Sequence, residues 1–227
     1  MISVCIPTWG VNGDGGSLIS ELLSSLVLQT FTNFEVVISD HSNDTLVFDA
    51  MSLYKGKLDI NYITNHKDIG NSPSNVNNTI RNAKGDIIKI MFQDDLFVDI
   101  DALNKIDKAF SDVKCQWLVT GCNHTSDGVN FDREMVPRWN PDILIGINTI
   151  SSPSVLSFRN NNPIFFDESL VMLMDVEYYH RLYLDYGLPT IISDPLISNR
   201  IHSNQISSNY GEDINKEVVY VKNKHSW

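Results

Sequence analysis

Gly85-Asp86-Ile87-Ile88-Lys89-Ile90-Met91-Phe92-Gln93-Asp94-Asp95 is the stretch that decides how this chain reads. A glycine stop is followed by a short β-branched and apolar run, which ends on two adjacent carboxylates. Residues 87–92 suit a buried central strand. Such a strand would deliver Asp94 and Asp95 to its C-terminal edge, where open α/β sheets bind their ligands. Two neighbouring acids repel each other and need water or a cation between them. A hard divalent ion with oxygen ligands meets that need. A strand followed by a solvated acidic turn reads equally well from these residues alone.

Upstream, residues 2–6 form a short buried strand stopped by Pro7. The loop 8–16 carries four of the chain's twelve glycines, so backbone can approach a ligand closely there. It lacks both GxGxxG spacing and a P-loop lysine. From Ser17 the spacing of Leu18, Leu22 and Leu26 predicts a helix, with Ile19, Leu23 and Val27 beside them. Residues 34–39 predict a second strand ending on Asp40. A β-α-β unit of this kind is right-handed with parallel strands, which places Asp40 at the same sheet edge as Thr8. Asp40 also reads as a turn residue within Asp40-His41-Ser42-Asn43-Asp44. Residues 58–63 predict a third strand. Ser72 as N-cap and Pro73 in the first turn then open a helix with Val76, Ile80 and Ala83 as its stripe, closed by Gly85. The first 95 residues therefore read β, α, β, β, α, β, the first half of a nucleotide-binding α/β sheet.

Downstream, residues 102–110 predict a helix, 117–120 a strand and 153–158 a further strand. The polar stretch 123–140 reads as a surface loop or a hairpin over a site. Asp175, Tyr178, Tyr179 and Leu182 recur at helical spacing. Asp175 falls near that helix's N-terminal turn, where the dipole stabilises a carboxylate; an acid there can also be only a cap. The tail from Gly211 reads as a C-terminal helix or an irregular end.

The 227 residues suit one large domain or two halves sharing a core. A net charge of −11 argues against a nucleic-acid surface, which needs clustered Lys and Arg, but leaves room for one phosphorylated small molecule. Cys5, Cys115 and Cys122 show no zinc or redox spacing and suit free thiols in a reducing compartment. No apolar run reaches membrane-spanning length, and residues 1–4 carry no signal-peptide features, so the expectation is a cytoplasmic chain with no transmembrane segment.

Taken together, these signals fall into one order. It runs from Ile6-Pro7-Thr8 and Gln29-Thr30-Phe31-Thr32-Asn33-Phe34-Glu35-Val36-Val37 to Asp40, then Ala83-Lys84-Gly85-Asp86 and Asp94-Asp95. Asp175-Val176-Glu177-Tyr178-Tyr179-His180-Arg181-Leu182 follows, and Arg200-Ile201-His202 with Ser207 closes the set. The ordered set resembles the inverting family 2 glycosyltransferases of the GT-A fold, in particular small stand-alone enzymes of phages and bacterial surface-polysaccharide clusters.

The resemblance implies an α/β GT-A fold with a Rossmann-like, mostly parallel central sheet flanked by helices. Residues 1–97 would form the nucleotide-sugar half of a single domain, and residues 98–227 the acceptor and catalytic-base half. Pro7 and Thr8 would line the nucleotide site, and Asp40 would accept hydrogen bonds from base or ribose. His41 stands where the family has a second acid. The family's DxD-type motif falls on Phe92, Gln93 and Asp94, with Phe92 in place of the first acid. Asp94 becomes the leading ligand for Mn²⁺ or Mg²⁺, assisted by Asp95 and His202. Asn77 matches a family asparagine, preceded here by Val76 rather than arginine, and Arg200 joins the nucleotide-sugar set. Asp175 matches the catalytic base. The implied partners are a nucleotide-diphosphate sugar and a glycan or other hydroxyl-bearing acceptor, as in polysaccharide biosynthesis. Two other readings compete. A nucleotidyltransferase would want a basic Gly-rich first loop, and residues 9–16 contain no Lys or Arg. A catalytically silent sugar-binding module would explain the acids replaced at Phe92 and His41.

Overall fold

Every side chain of the first strand, β1 (Ile2–Thr8), is buried, as a strand covered by helices on both faces requires. The computed structural model describes residues 1–10, 13–202 and 214–226. In it β1 pairs in parallel with β2 (Phe34–Asp40) on one side and β4 (Ile87–Ile90) on the other, and β2 pairs in parallel with β3 (Ile60–Thr64). Three helices link these strands: α1 (Gly15–Val27), α2 (Leu46–Ser52) and α3 (Ser72–Asn82). Register sets Thr8 opposite Asp40 and Cys5 opposite Ile90, so β1, β2 and β4 end on one edge.

The helix α2 corrects the expected β, α, β, β, α, β order. It has seven residues and buries only Val47 and Met51, too little periodicity to stand out from the turn residues before it. Other differences are local. Pairing continues through Pro7 to Thr8. The third strand runs two residues later at its start than its sequence suggested, and β4 stops at Ile90 rather than Phe92. Asn71, not Ser72, caps α3, its side chain accepting a hydrogen bond from the Ser74 N–H at 2.8 Å. Gly85 is required by a close approach: a Cβ there would lie 2.7 Å from the Ser3 nitrogen.

The second half supplies β5 (Leu96–Phe97), α4 (Ala102–Phe110), β6 (Trp117–Thr125), β7 (Asp132–Met135), β8 (Leu156–Arg159), α5 (Met174–Tyr186), β9 (Thr190–Arg200) and α6 (Ile214–His225). The sheet order is β3-β2-β1-β4-β8-β6-β9-β5, with β7 paired to β6. Strand β8 is antiparallel to both β4 and β6, and so joins the parallel half to a mixed half. The polar stretch 123–140 resolves into the end of β6 and a hairpin to β7. Pro153–Val155 is a 3₁₀ turn rather than strand, because Ser152 caps it through the Ser154 N–H. The three cysteines are free and buried. Among the described residues no helix is long and apolar enough to cross a membrane.

Candidate active site

A cavity of about 570 Å³ opens where β1, β2 and β4 end. Its walls include Pro7, Thr8 and Trp9 after β1, His41 after β2, Asp94 after β4, Asp175 on α5 and His202 beyond β9. Residues far apart in sequence converge because the parallel strands all point their C-terminal ends at this edge.

On one wall, the Asp94 carboxylate lies 3.1 Å from His202 Nε2, and this hydrogen bond raises the histidine's pKa. The turn bearing Asp94 is fixed from two sides. Gln93 exchanges hydrogen bonds with the Trp9 backbone at 2.9 and 3.0 Å. Arg200 donates through Nε to the Asp94 carbonyl at 3.0 Å and pairs with Glu21 of α1. Asp95 turns away from the main cavity. Its carboxylate is buried, accepts the Arg200 N–H at 2.9 Å, and borders a smaller cavity of about 260 Å³. Burial and the neighbouring Asp94 push Asp95 well above the usual carboxylate range, while Lys89 acts in the opposite sense. Lys89 is itself fully buried in β4, donates to the Ser154 carbonyl, and is pushed down by burial to about 7.

Asp94 and His202 together offer one carboxylate oxygen and one imidazole nitrogen to the cavity. Among the described residues no group of three or more His, Cys, Asp and Glu side chains converges. A divalent ion held here would need phosphate oxygens and water to complete its shell. Mg²⁺ is commonly held in that way, and a mixed carboxylate–imidazole set also suits Mn²⁺. The residues fit such an ion: Asp94 and His202 would be the side chains to hold it, with Asp95 a buried acid behind them.

On another wall, Asp175 stands in the first turn of α5. Its carboxylate accepts the Val176 N–H and the Asn148 side-chain amide, each at 2.7 Å. Burial outweighs these bonds and raises its pKa to about 6; the charge of Glu217 adds in the same direction. Asn148 also donates to the Ser151 carbonyl at 3.0 Å and accepts the Ile150 and Ser151 N–H groups at 2.9 and 3.0 Å. Ser151, at φ 101°, is thereby held in a backbone conformation that non-glycine residues rarely adopt.

The remaining expected residues divide. Pro7 and Thr8 line the cavity. Asp40 does not; it is buried, accepting the Ser42 N–H at 2.9 Å and the Tyr62 hydroxyl at 2.7 Å. Its neighbour His41 does line the cavity, and burial lowers that imidazole's pKa. Arg200 borders the smaller cavity and is not in the lining of the main one. Asn77 is also away from the lining: its amide bonds both backbone groups of Phe166, at 2.7 and 2.9 Å, and the Glu168 carboxylate at 2.9 Å. It fastens α3 to the segment before α5. Asn77→Ala is therefore expected to cost about 1–3 kcal/mol of stability, read as a lower urea midpoint. Ser207 lies outside the described residues.

Asn148 and Lys89 join the site only in the folded chain, and Gln93, offered by the sequence only as the middle of the Phe92-Gln93-Asp94 motif, proves to anchor the Asp94 turn. Lys89 did carry a signal, since a lysine inside an otherwise apolar strand must find polar partners in the interior. Asn148 carried none, because only the folded chain brings it to Asp175.

The curled, mostly parallel sheet with its flanking helices is a GT-A fold. The chain matches the sequence profile described as "Glycosyl transferase family 2" over residues 3–169, and it is a member of that family. Similar proteins include an uncharacterised glycosyltransferase of Rickettsia typhi, 28% identical over 224 residues. Another, from Rickettsia prowazekii, is 27% identical over 230 residues. Each alignment takes in 92% of this chain and 66% of the relative, so the chain spans just under two-thirds of those proteins' length. Among solved structures, S. aureus TarS 1-349 in complex with UDP-GlcNAc superposes with a TM-score of 0.77 at 22% identity, over 98% of this chain and 66% of that one. The mannosyltransferase PcManGT from Pyrobaculum calidifontis, in complex with GDP-Man and Mn²⁺, superposes at 0.65 with 17% identity, over 89% and 57%. These likenesses establish the fold.

Proposed function

We propose that the chain transfers a sugar from a nucleotide-diphosphate sugar to an acceptor hydroxyl by a single, inverting displacement. One observation carries this reading: the Asp94–His202 pair and Asp175 line one cavity, the latter with a pKa raised to about 6. The UDP-GlcNAc and GDP-Man named for the structural neighbours agree with a nucleotide-sugar donor.

Pro7, Thr8 and His41 bound the donor's nucleotide side, and Asp94 with His202 faces its diphosphate. A divalent cation bound by Asp94 and His202 would supply Lewis-acid stabilisation of the leaving diphosphate. Asp175 accepts the proton of the acceptor hydroxyl as oxygen attacks the anomeric carbon and the bond to the diphosphate breaks. One carboxylate suffices for this proton transfer, since the leaving group needs no acid. Asn148 and the Val176 N–H hold the carboxylate's two oxygens, fixing its direction.

Transfer requires Asp175 unprotonated. Its rate should fall as pH drops through about 6, roughly tenfold per unit below that value, and level off above it. A profile of kcat against pH checks this; an acid limb centred below about 4.5 would contradict a buried base. The stereochemistry is tested by proton NMR of the product formed from an α-linked donor. A β-linked product supports the single displacement, and an α-linked product excludes it.

A further inference from the structure

We infer that Glu217, on α6, is a positioning residue that holds the segment leading into α5 and thereby sets the place of Asp175. Its carboxylate gathers three consecutive backbone N–H groups, those of Val171 and Met172 at 2.9 Å and Leu173 at 2.8 Å. Val171, Met172 and Asp175 all line the main cavity. The N-cap of α5 is Leu173, whose side chain cannot accept a hydrogen bond, so this helix start has no cap of its own. Glu217 brings an anion to that start from another helix, where N–H groups and the helix dipole favour negative charge. A buried carboxylate is costly without donors, and three N–H groups meet that need.

The rest of α6 reinforces the grip. Lys224 bridges Asp167 at 2.6 Å and Glu177 at 2.8 Å. Tyr220 donates to Asp167 at 2.9 Å, and His225 meets Glu177 at 3.1 Å. The helix thus binds both the approach to α5 and, through Glu177, its first turn. The groups acting on Asp175 are the Val176 N–H, its own N–H, the Asn148 amide and the charge of Glu217, and the neutral phenol of Tyr179 in turn feels the charge of Asp175. Removing the Glu217 charge therefore lowers the pH at which Asp175 gives up its proton.

The role in transfer rests on the reading of Asp175 as base, so the experiment separates the two. Wild type, Glu217→Gln and Lys224→Met are compared by amide hydrogen exchange of the peptide spanning residues 170–174, by kcat and KM, and by the acid limb of kcat. Glu217→Gln should speed exchange of that peptide and lower kcat about tenfold. Donor KM should stay within about twofold, and the acid limb should move to lower pH. Lys224→Met loses the ion pairs at the far end of α6; it should lower the melting temperature while keeping kcat and the acid limb. Unchanged exchange in Glu217→Gln overturns the clamp. Faster exchange with unchanged kcat and acid limb overturns the positioning role, as does an equal kcat loss in Lys224→Met. A wild type that transfers no sugar overturns the base assignment, while the exchange comparison still decides whether Glu217 holds residues 171–173.

Discussion

Asp175→Asn is expected to lower kcat by about 10²- to 10⁴-fold, the usual contribution of a positioned general base, with donor affinity nearly unchanged. The substitution suits the site because it is isosteric. The amide oxygen can still accept one of the 2.7 Å hydrogen bonds that the carboxylate receives from Val176 and Asn148. What disappears is the capacity to take a proton at neutral pH. The acid limb of the rate profile should vanish with it, because no group of pKa near 6 remains in that position. Full activity in the variant would move the base elsewhere in the cavity.

Asp94→Ala is expected to remove the dependence of nucleotide binding on Mn²⁺ or Mg²⁺. In the proposed site Asp94 and His202 are the two side chains that would reach an ion at the cavity wall. Loss of one of two protein ligands should weaken ion-dependent nucleotide affinity by at least about tenfold, measured by calorimetry with and without the metal. Asp95→Asn gives a contrasting result. Asp95 faces the Arg200 N–H in the smaller cavity, so its substitution should mainly loosen the β9 end and lower stability. Metal-dependent binding that survives Asp94→Ala would place the ion on other residues.

The parallel half of the sheet was legible because its strands are apolar and separated by clear stop signals. Ile2, Val4, Ile6, Val36, Val37, Ile38, Ile87, Ile88 and Ile90 are all buried as their patterns require. The helix at Leu46–Ser52 escaped because a seven-residue helix with two buried residues has almost no period to detect. Strand β9 escaped for a different reason. Its first six residues, Ile191 and Ile192 among them, are exposed or half-buried, and its last five are buried although Ser198, Asn199 and Arg200 are polar, so burial does not follow polarity along it.

The site was legible where chemistry is concentrated in one residue type. Asp94, Asp175 and His202, far apart in sequence, line one cavity. Asp40 and Asn77 have the residue types of ligand-binding groups, yet the fold spends both on its own backbone and side chains. Asn148 and Glu217 were illegible because the groups they hold at the site, Asp175 and residues 171–173, lie 27 residues or more away in sequence and no local pattern marks them. Such contacts arise only from tertiary packing.

The account is tested most directly by incubating the protein with a panel of nucleotide-diphosphate sugars and Mn²⁺ and analysing the nucleotide released. Slow turnover of one donor to its nucleoside diphosphate is expected in the wild type, with release abolished by Asp94→Ala. Release of pyrophosphate, or binding of a donor with no turnover even when acceptor hydroxyls are supplied, would contradict it.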